Sequence, residues 1–300
     1  MSEGTLKATR LCKSYGKKDV LRGLDLELLP GCIYGLIGRN GAGKTTLLSI
    51  LTAQNTWDEG EVTLNGEPVW ENRHALDQLC FARELSPALK TGGANALRVK
   101  DYLRAASIYY PNWDAPYAER LLKEFGLDKE RKTRVDKLSK GMMSMVTITL
   151  ALASRAPFTF LDEPVAGLDV VARERFYQLL LEDYGETGRT FVVSTHILDE
   201  TNGVFERVVI LDEGKVLENT PTDSLLEQFR LVDGPAEAVE AVCAGLKVLS
   251  KEHLGRRLSC VVRGTPEKLA ALPAELDAGA LNLQKVFVAL CGHGEVLNHE

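Results

Sequence analysis

An α/β domain built on a mainly parallel sheet is predicted by three observations. Short apolar runs alternate with helix-patterned stretches. The runs are continuous rather than alternating, which suits strands buried on both faces. And one run leads through a glycine-rich loop straight into a helix-forming stretch. The strand candidates are Cys32–Ile37, Phe158–Leu161, Phe191–Ser194 and Arg207–Leu211. Around Glu61–Gly66 the pattern predicts an antiparallel strand ending in an Asn65-Gly66 turn. Val99–Tyr109 and Tyr117–Phe125 carry apolar residues at helical spacing, with Pro111 and Pro116 at the break between them.

The domain organisation follows from the same reading. Residues 1–230 form the main domain, with a more polar, helical subdomain over about 72–150. Thr222–Arg230 is expected to be the helix that closes it, and Asp233-Gly234-Pro235 marks the boundary. In the remaining 231–300, Val239, Val242, Cys243 and Leu246 have the i, i+3, i+4, i+7 spacing of an amphipathic helix. Short strands near Leu246–Leu249 and Leu258–Val262, a helix at Pro266–Leu272 and an apolar end at Val286–Leu290 complete a small α+β appendix.

Bulk properties exclude several classes. With 45% hydrophobic and 26% charged residues the 300-residue chain has the composition of a globular protein. Its net charge of −6 argues against a nucleic-acid partner, which would need a basic surface. The six cysteines contain no C-x-x-C pair, so neither a zinc site nor a disulfide framework is expected. Met1–Lys18 holds no apolar core of a signal peptide, and the longest weakly polar stretch, Met142–Ala153, is too short to span a bilayer. A reduced, cytoplasmic protein is the expectation.

The chemistry begins at Gly38-Arg39-Asn40-Gly41-Ala42-Gly43-Lys44-Thr45, which fits G-x-x-x-x-G-K-[ST], the phosphate-binding P-loop. Its flanks matter as much as the pattern. A strand, a glycine-rich turn and a helix N-terminus aim backbone N–H groups and the helix dipole at one anion. Lys44 then reaches the β- and γ-phosphates, and Thr45 offers its hydroxyl to Mg²⁺. Phe158–Leu161 ends in Asp162-Glu163-Pro164. Asp162 suits a hold on Mg²⁺, and Glu163 suits the polarisation of a water attacking the γ-phosphate. Two adjacent carboxylates after a buried strand need a metal or strong partners to offset desolvation.

In the order Tyr15, the P-loop, Leu138-Ser139-Lys140-Gly141-Met142, Asp162-Glu163, Gly167-Leu168-Asp169 and His196, the chain closely resembles the ATP-binding cassette (ABC) ATPase family over about Thr5 to Phe229. The resemblance implies a P-loop cassette with an antiparallel β subdomain and a helical subdomain, binding ATP and Mg²⁺. It implies that Tyr15 stacks on adenine and that Lys44, Thr45 and Thr46 contact phosphate and Mg²⁺. Ser139 and Gly141 would close on the γ-phosphate held by a second subunit. Glu163 would be the catalytic carboxylate, Asp169 a residue of the dimer seam and His196 a γ-phosphate contact.

Two departures stand out. The signature reads Leu-Ser-Lys-Gly-Met where the family's usual form is Leu-Ser-Gly-Gly-Gln. Glu84 also takes the position of an expected Gln, which places its carboxylate among the candidate Mg²⁺ ligands with Thr45 and Asp162. These features, with the Ala-Ser-Arg-Ala-Pro run at 153–157, resemble the ATPase subunits of antibiotic- and multidrug-type exporters of Gram-positive bacteria. The implied partners are a separate transmembrane permease, received by a groove within Phe81–Tyr110, and an ATP-dependent dimer with itself or a related subunit. The protein would then lie on the inner face of the cell membrane through that permease. The alternative is a soluble, assembly-type ABC ATPase without a permease. The appendix would serve dimerisation, regulation or packing.

Overall fold

A computed structural model describes residues 4–85, 96–198, 203–273 and 275–292. Residues 86–95, part of the segment expected to receive a permease, lie outside the described residues. The chain divides into two compact units, Met1–Asn219 and Thr220–Glu300.

The first unit opens with β1 (Leu6–Tyr15) and β2 (Lys18–Leu28), an antiparallel pair that buries Leu6, Ala8 and Leu11 against Leu24, Leu26 and Leu28. β3 (Ile33–Gly38) leads through the glycine-rich loop into α1 (Lys44–Leu51). β4 (Glu59–Leu64) and β5 (Glu67–Pro68) are joined by Asn65 and Gly66, both at positive φ (57° and 82°), the type I′ geometry that matches strand twist. These strands form a sheet of order β2-β1-β4-β5. After α2 (Arg73–Leu76) and β6 (Leu79–Ala82) come three helices: α3 (Val99–Tyr109), α4 (Ala115–Glu124) and α5 (Lys140–Ala153). Then follow β7 (Phe158–Asp162), α6 (Val170–Thr187), β8 (Thr190–Thr195), β9 (Arg207–Asp212) and β10 (Lys215–Pro221). The second sheet has the order β10-β9-β3-β8-β7-β6, parallel from β9 to β6. Every residue of β3, β6, β7 and β8 is buried, which is why their sequences are mostly apolar on both faces.

A buried polar knot fastens α6 to the sheet. Arg189 Nε and Nη2 donate to Asp183 Oδ1 and Oδ2 at 2.7 and 2.9 Å, and Nη2 also donates to the Leu152 carbonyl at 2.9 Å. Arg155 Nη1 adds a second donor to Asp183 Oδ2 at 2.8 Å, while its Nη2 reaches Asp114 Oδ2 at 3.1 Å. Asp183 is only 1% exposed and Arg189 5%. Removing the carboxylate leaves buried guanidinium charge unpaired. Asp183→Ala is therefore expected to destabilise the fold by about 3–5 kcal/mol, read from the midpoint of urea unfolding; an unchanged midpoint would show that the knot contributes nothing net.

The second unit begins ahead of the expected boundary. The expected helix Thr222–Arg230 is shorter: α7 spans Thr222–Leu226, and Phe229 opens β11 (Phe229–Pro235). Pairing decides this. β11 lies between β13 and β14, and Phe229 and Val232 are fully buried there. The division accordingly falls at Asn219/Thr220 rather than 230/231. The unit continues with α8 (Ala236–Cys243), β12 (Lys247–Leu254), β13 (Arg257–Arg263), α9 (Pro266–Ala270), β14 (Asp277–Ala280) and α10 (Leu283–Cys291). Its sheet has the order β12-β13-β11-β14, over a small core that includes Val232, Val239, Leu258, Cys260 and Val262.

Candidate active site

The phosphate loop is shaped by close approach. A Cβ on Gly38 would lie 2.5 Å from the Leu211 carbonyl oxygen, so only glycine lets β3 turn out of the sheet there. Gly43, at φ 106°, caps α1 in the left-handed region. Arg39, Asn40 and Gly41 are exposed on the loop, with Ala42 buried beneath. Lys44 is the first residue of α1 and only 6% exposed. Its ammonium donates to the Gly38 carbonyl at 2.7 Å and lies 3.4 Å from Glu163 Oε1. Thr45 Oγ1 donates to Asp162 Oδ2 at 2.8 Å.

The carboxylates arrive from the parallel sheet, in which β7 and β8 run side by side with Asp162 opposite Ser194. Ser194 Oγ donates to Asp162 Oδ1 at 2.7 Å and accepts from the Glu163 amide at 2.9 Å. Asp162 is thus buried with hydroxyl donors on both oxygens, the strong partners its burial demands. Glu163 has φ 49°, a backbone conformation uncommon for a side-chain-bearing residue and found where a group must be aimed. Its second oxygen, Oε2, lies 2.8 Å from His196 Nδ1. One carboxylate therefore bridges the P-loop lysine and the histidine after β8. Sequence reading assigned Ser194 no role; its signal is its place at the C-terminal end of the strand next to β7.

Other predicted residues lie on separate elements. Tyr15 is half exposed at the end of β1, with the Lys13 ammonium 5.4 Å from its ring centroid and its hydroxyl 2.5 Å from Asn55 Nδ2. Asp58 secures that corner by accepting from the Ser14 amide at 2.6 Å, a bond that, with Lys13, holds its carboxyl below the ordinary range. Ser139 caps α5, its hydroxyl accepting from the Met142 amide at 3.2 Å. Gly141 is required by contact, since a Cβ there would sit 2.8 Å from the Gly167 carbonyl oxygen. Asp169 caps α6 through the Ala172 amide at 2.8 Å. Glu84, named with Thr45 and Asp162 as a candidate Mg²⁺ ligand, lies 2.9 Å from Lys140 Nζ.

With this geometry in place, the likeness to known proteins is decisive. The ABC transporter family model matches residues 21–166. The Nod factor export ATP-binding protein I of Cupriavidus pinatubonensis is 30% identical over 303 residues, 96% of this chain and 90% of that protein. This chain belongs to the ABC transporter ATP-binding family. The cassette is also 32% identical to the bacitracin transport ATP-binding protein BcrA of Bacillus licheniformis, over 75% of this chain and 72% of that protein. It is 31% identical to an aliphatic sulfonates import ATP-binding protein, SsuB 2, of Xanthomonas axonopodis pv. citri, over 70% and 69%. Among solved structures, the ATP-binding subunit of an ABC transporter superimposes with a TM-score of 0.63 at 26% identity, covering 74% of this chain and 92% of that one. A dimeric cassette bound to ADP and Pi shares the fold, with a TM-score of 0.60 at 22% identity over 72% and 98%.

The ABC cassette binds and hydrolyses ATP. Its residues fit the nucleotide: an open glycine-rich turn, a helix N-terminus and a lysine offer donors to phosphate. They also fit Mg²⁺, which takes one or two protein oxygens and fills its remaining positions with phosphate and water. Thr45 Oγ1 and Asp162 Oδ2, side by side, would be two such oxygens. Their hydrogen bond puts the two oxygens 2.8 Å apart beside the loop.

Proposed function

We propose that this cassette is the ATPase subunit of an exporter and drives a separate membrane permease through ATP-dependent closure of a dimer. The observation that carries the hydrolytic part is Glu163, held between Lys44 and His196 at the mouth of the phosphate loop. It is positioned to accept a proton from water attacking the γ-phosphate, while Lys44 holds that phosphate and His196 orients the carboxylate. Thr45 and Asp162 would hold Mg²⁺, which supplies charge neutralisation to the leaving phosphates when bound, and Thr46 would contact phosphate. Tyr15, half exposed, would stack on adenine.

The export direction is supported by extent. Likeness to the Nod factor export protein runs through both units, whereas likeness to the sulfonate import protein covers 70% of the chain. A permease in a separate chain accords with the described helices, none of which is long and apolar enough to cross a membrane. Dimer closure is supported by Ser139: it is exposed and caps a helix of 14 residues, so the positive end of that helix begins at the surface, suited to a γ-phosphate held by another subunit. ATP would then be a ligand shared by two chains and would bind the pair better than either alone.

Light scattering of the Glu163→Gln protein is expected to show a monomer that becomes a dimer with ATP. A mass that ignores ATP would remove the closure model. Affinity purification from solubilised membranes is expected to bring down an integral membrane protein; recovery of soluble partners alone would favour an assembly-type role.

A further inference from the structure

A lysine at the first position of a helix opposes the helix dipole and needs a compensating anion. Lys140 occupies that position in α5. Its Nζ lies 2.9 Å from Glu84 Oε1, on the segment leaving β6. The carboxylate therefore pairs the ammonium carried by the first residue of the helix. These are two of the three positions at which the sequence departs from the usual motifs, Met142 being the third; one gains a positive and the other a negative charge.

The lysine's stem has a second contact. It runs across Gly167, where a Cβ would lie 2.7 Å from Lys140 Cγ and 3.0 Å from Cδ. Gly167 is at φ 82° and belongs to the turn that follows Glu163. The start of α5 grips the same turn elsewhere: Gly141 packs on the Gly167 carbonyl, and Ser144 Oγ donates to the Ala166 carbonyl at 2.7 Å. The Ala166 amide in turn donates to the Glu163 carbonyl at 3.1 Å. A continuous line of contacts thus runs from Glu84 through Lys140 and residues 166–167 to the backbone of Glu163.

We propose that Glu84 and Lys140 form one positioning unit for ATP hydrolysis, holding the start of α5 against the turn that aims Glu163. This rests on the reading of Glu163 as the hydrolytic carboxylate. The pair works at the surface, with the Lys140 side chain 57% and the Glu84 side chain 38% exposed, so its contribution is that of a solvated ion pair.

The test is steady-state ATPase kinetics on the full chain. Glu84→Gln and Lys140→Gln are each expected to lower kcat by about two- to fivefold, the equivalent of a solvated pair, with KM for ATP unchanged. The double variant should fall no further than the worse single one. The exchanged pair, Glu84→Lys with Lys140→Glu, should recover most of the loss, and Lys140→Arg should retain wild-type kcat. Additive losses, unchanged kcat in the single variants, or no recovery on exchange would each overturn the proposal. So would a shifted Mg²⁺ half-saturation in Glu84→Gln alone, which would return that carboxylate to the metal. Failure here is distinct from failure of the Glu163 assignment. That assignment falls if Glu163→Gln turns over normally, whatever the 84–140 cycle shows.

Discussion

Glu163→Gln is expected to bind ATP as the wild type does and to lose turnover by about 10²- to 10⁴-fold, the span attributed to a positioned general base. The amide keeps the size of the carboxylate and an oxygen for His196, so the strained backbone at φ 49° and the packing of the following turn have no reason to change. What disappears is proton-accepting capacity at one atom. The substitution also removes a negative charge 3.4 Å from Lys44, so the lysine is left freer for phosphate and affinity should hold or rise. Phosphate release measured at saturating ATP, beside calorimetric titration of the same preparation, separates the two effects. Normal turnover in this variant would move the base to another group, with His196 next in line by geometry.

Lys44→Ala is expected to act on binding itself. The ammonium is nearly buried and bonded to the Gly38 carbonyl, so it is held inside the loop where phosphate oxygens would enter. Charge-assisted hydrogen bonds contribute about 1.5–3 kcal/mol each, so ATP affinity should fall about 10- to 150-fold even if a single such contact is lost. The alanine also strips Glu163 of its cation and places a carboxylate near the incoming γ-phosphate, which adds repulsion. Calorimetry with ATP checks the expectation. An unchanged dissociation constant would mean that the loop is not the phosphate site.

Local physics made much of this molecule legible in its sequence. β3, β7, β8 and β9 could be read because strands buried on both faces must be apolar without interruption, and the observed bounds differ from the predicted ones by a residue. The Asn65-Gly66 turn could be read because it needs two residues that tolerate positive φ. α3 spans the predicted Val99–Tyr109 because its apolar spacing, and the proline that follows, are local facts. The P-loop is contiguous, so its chemistry and its fold share one segment.

What lies between segments was decided by the tertiary structure. Thr45 and Asp162, 117 residues apart, and Glu163 and His196, 33 apart, meet because parallel strands deliver their C-terminal ends to one edge. Ser194 gains its role from the register of β8 on β7, which no pattern within β8 announces. The helix expected to run to Arg230 yields at Phe229 because the chain pairs with β13 from Phe229 and with β14 from Arg230, which leaves Phe229 and Val232 fully buried. Glu84 pairs with Lys140 for the same reason: the sequence by itself specified two unusual charges, and only folding made them neighbours, since the Coulomb attraction of a surface pair depends on a separation that chain distance does not set.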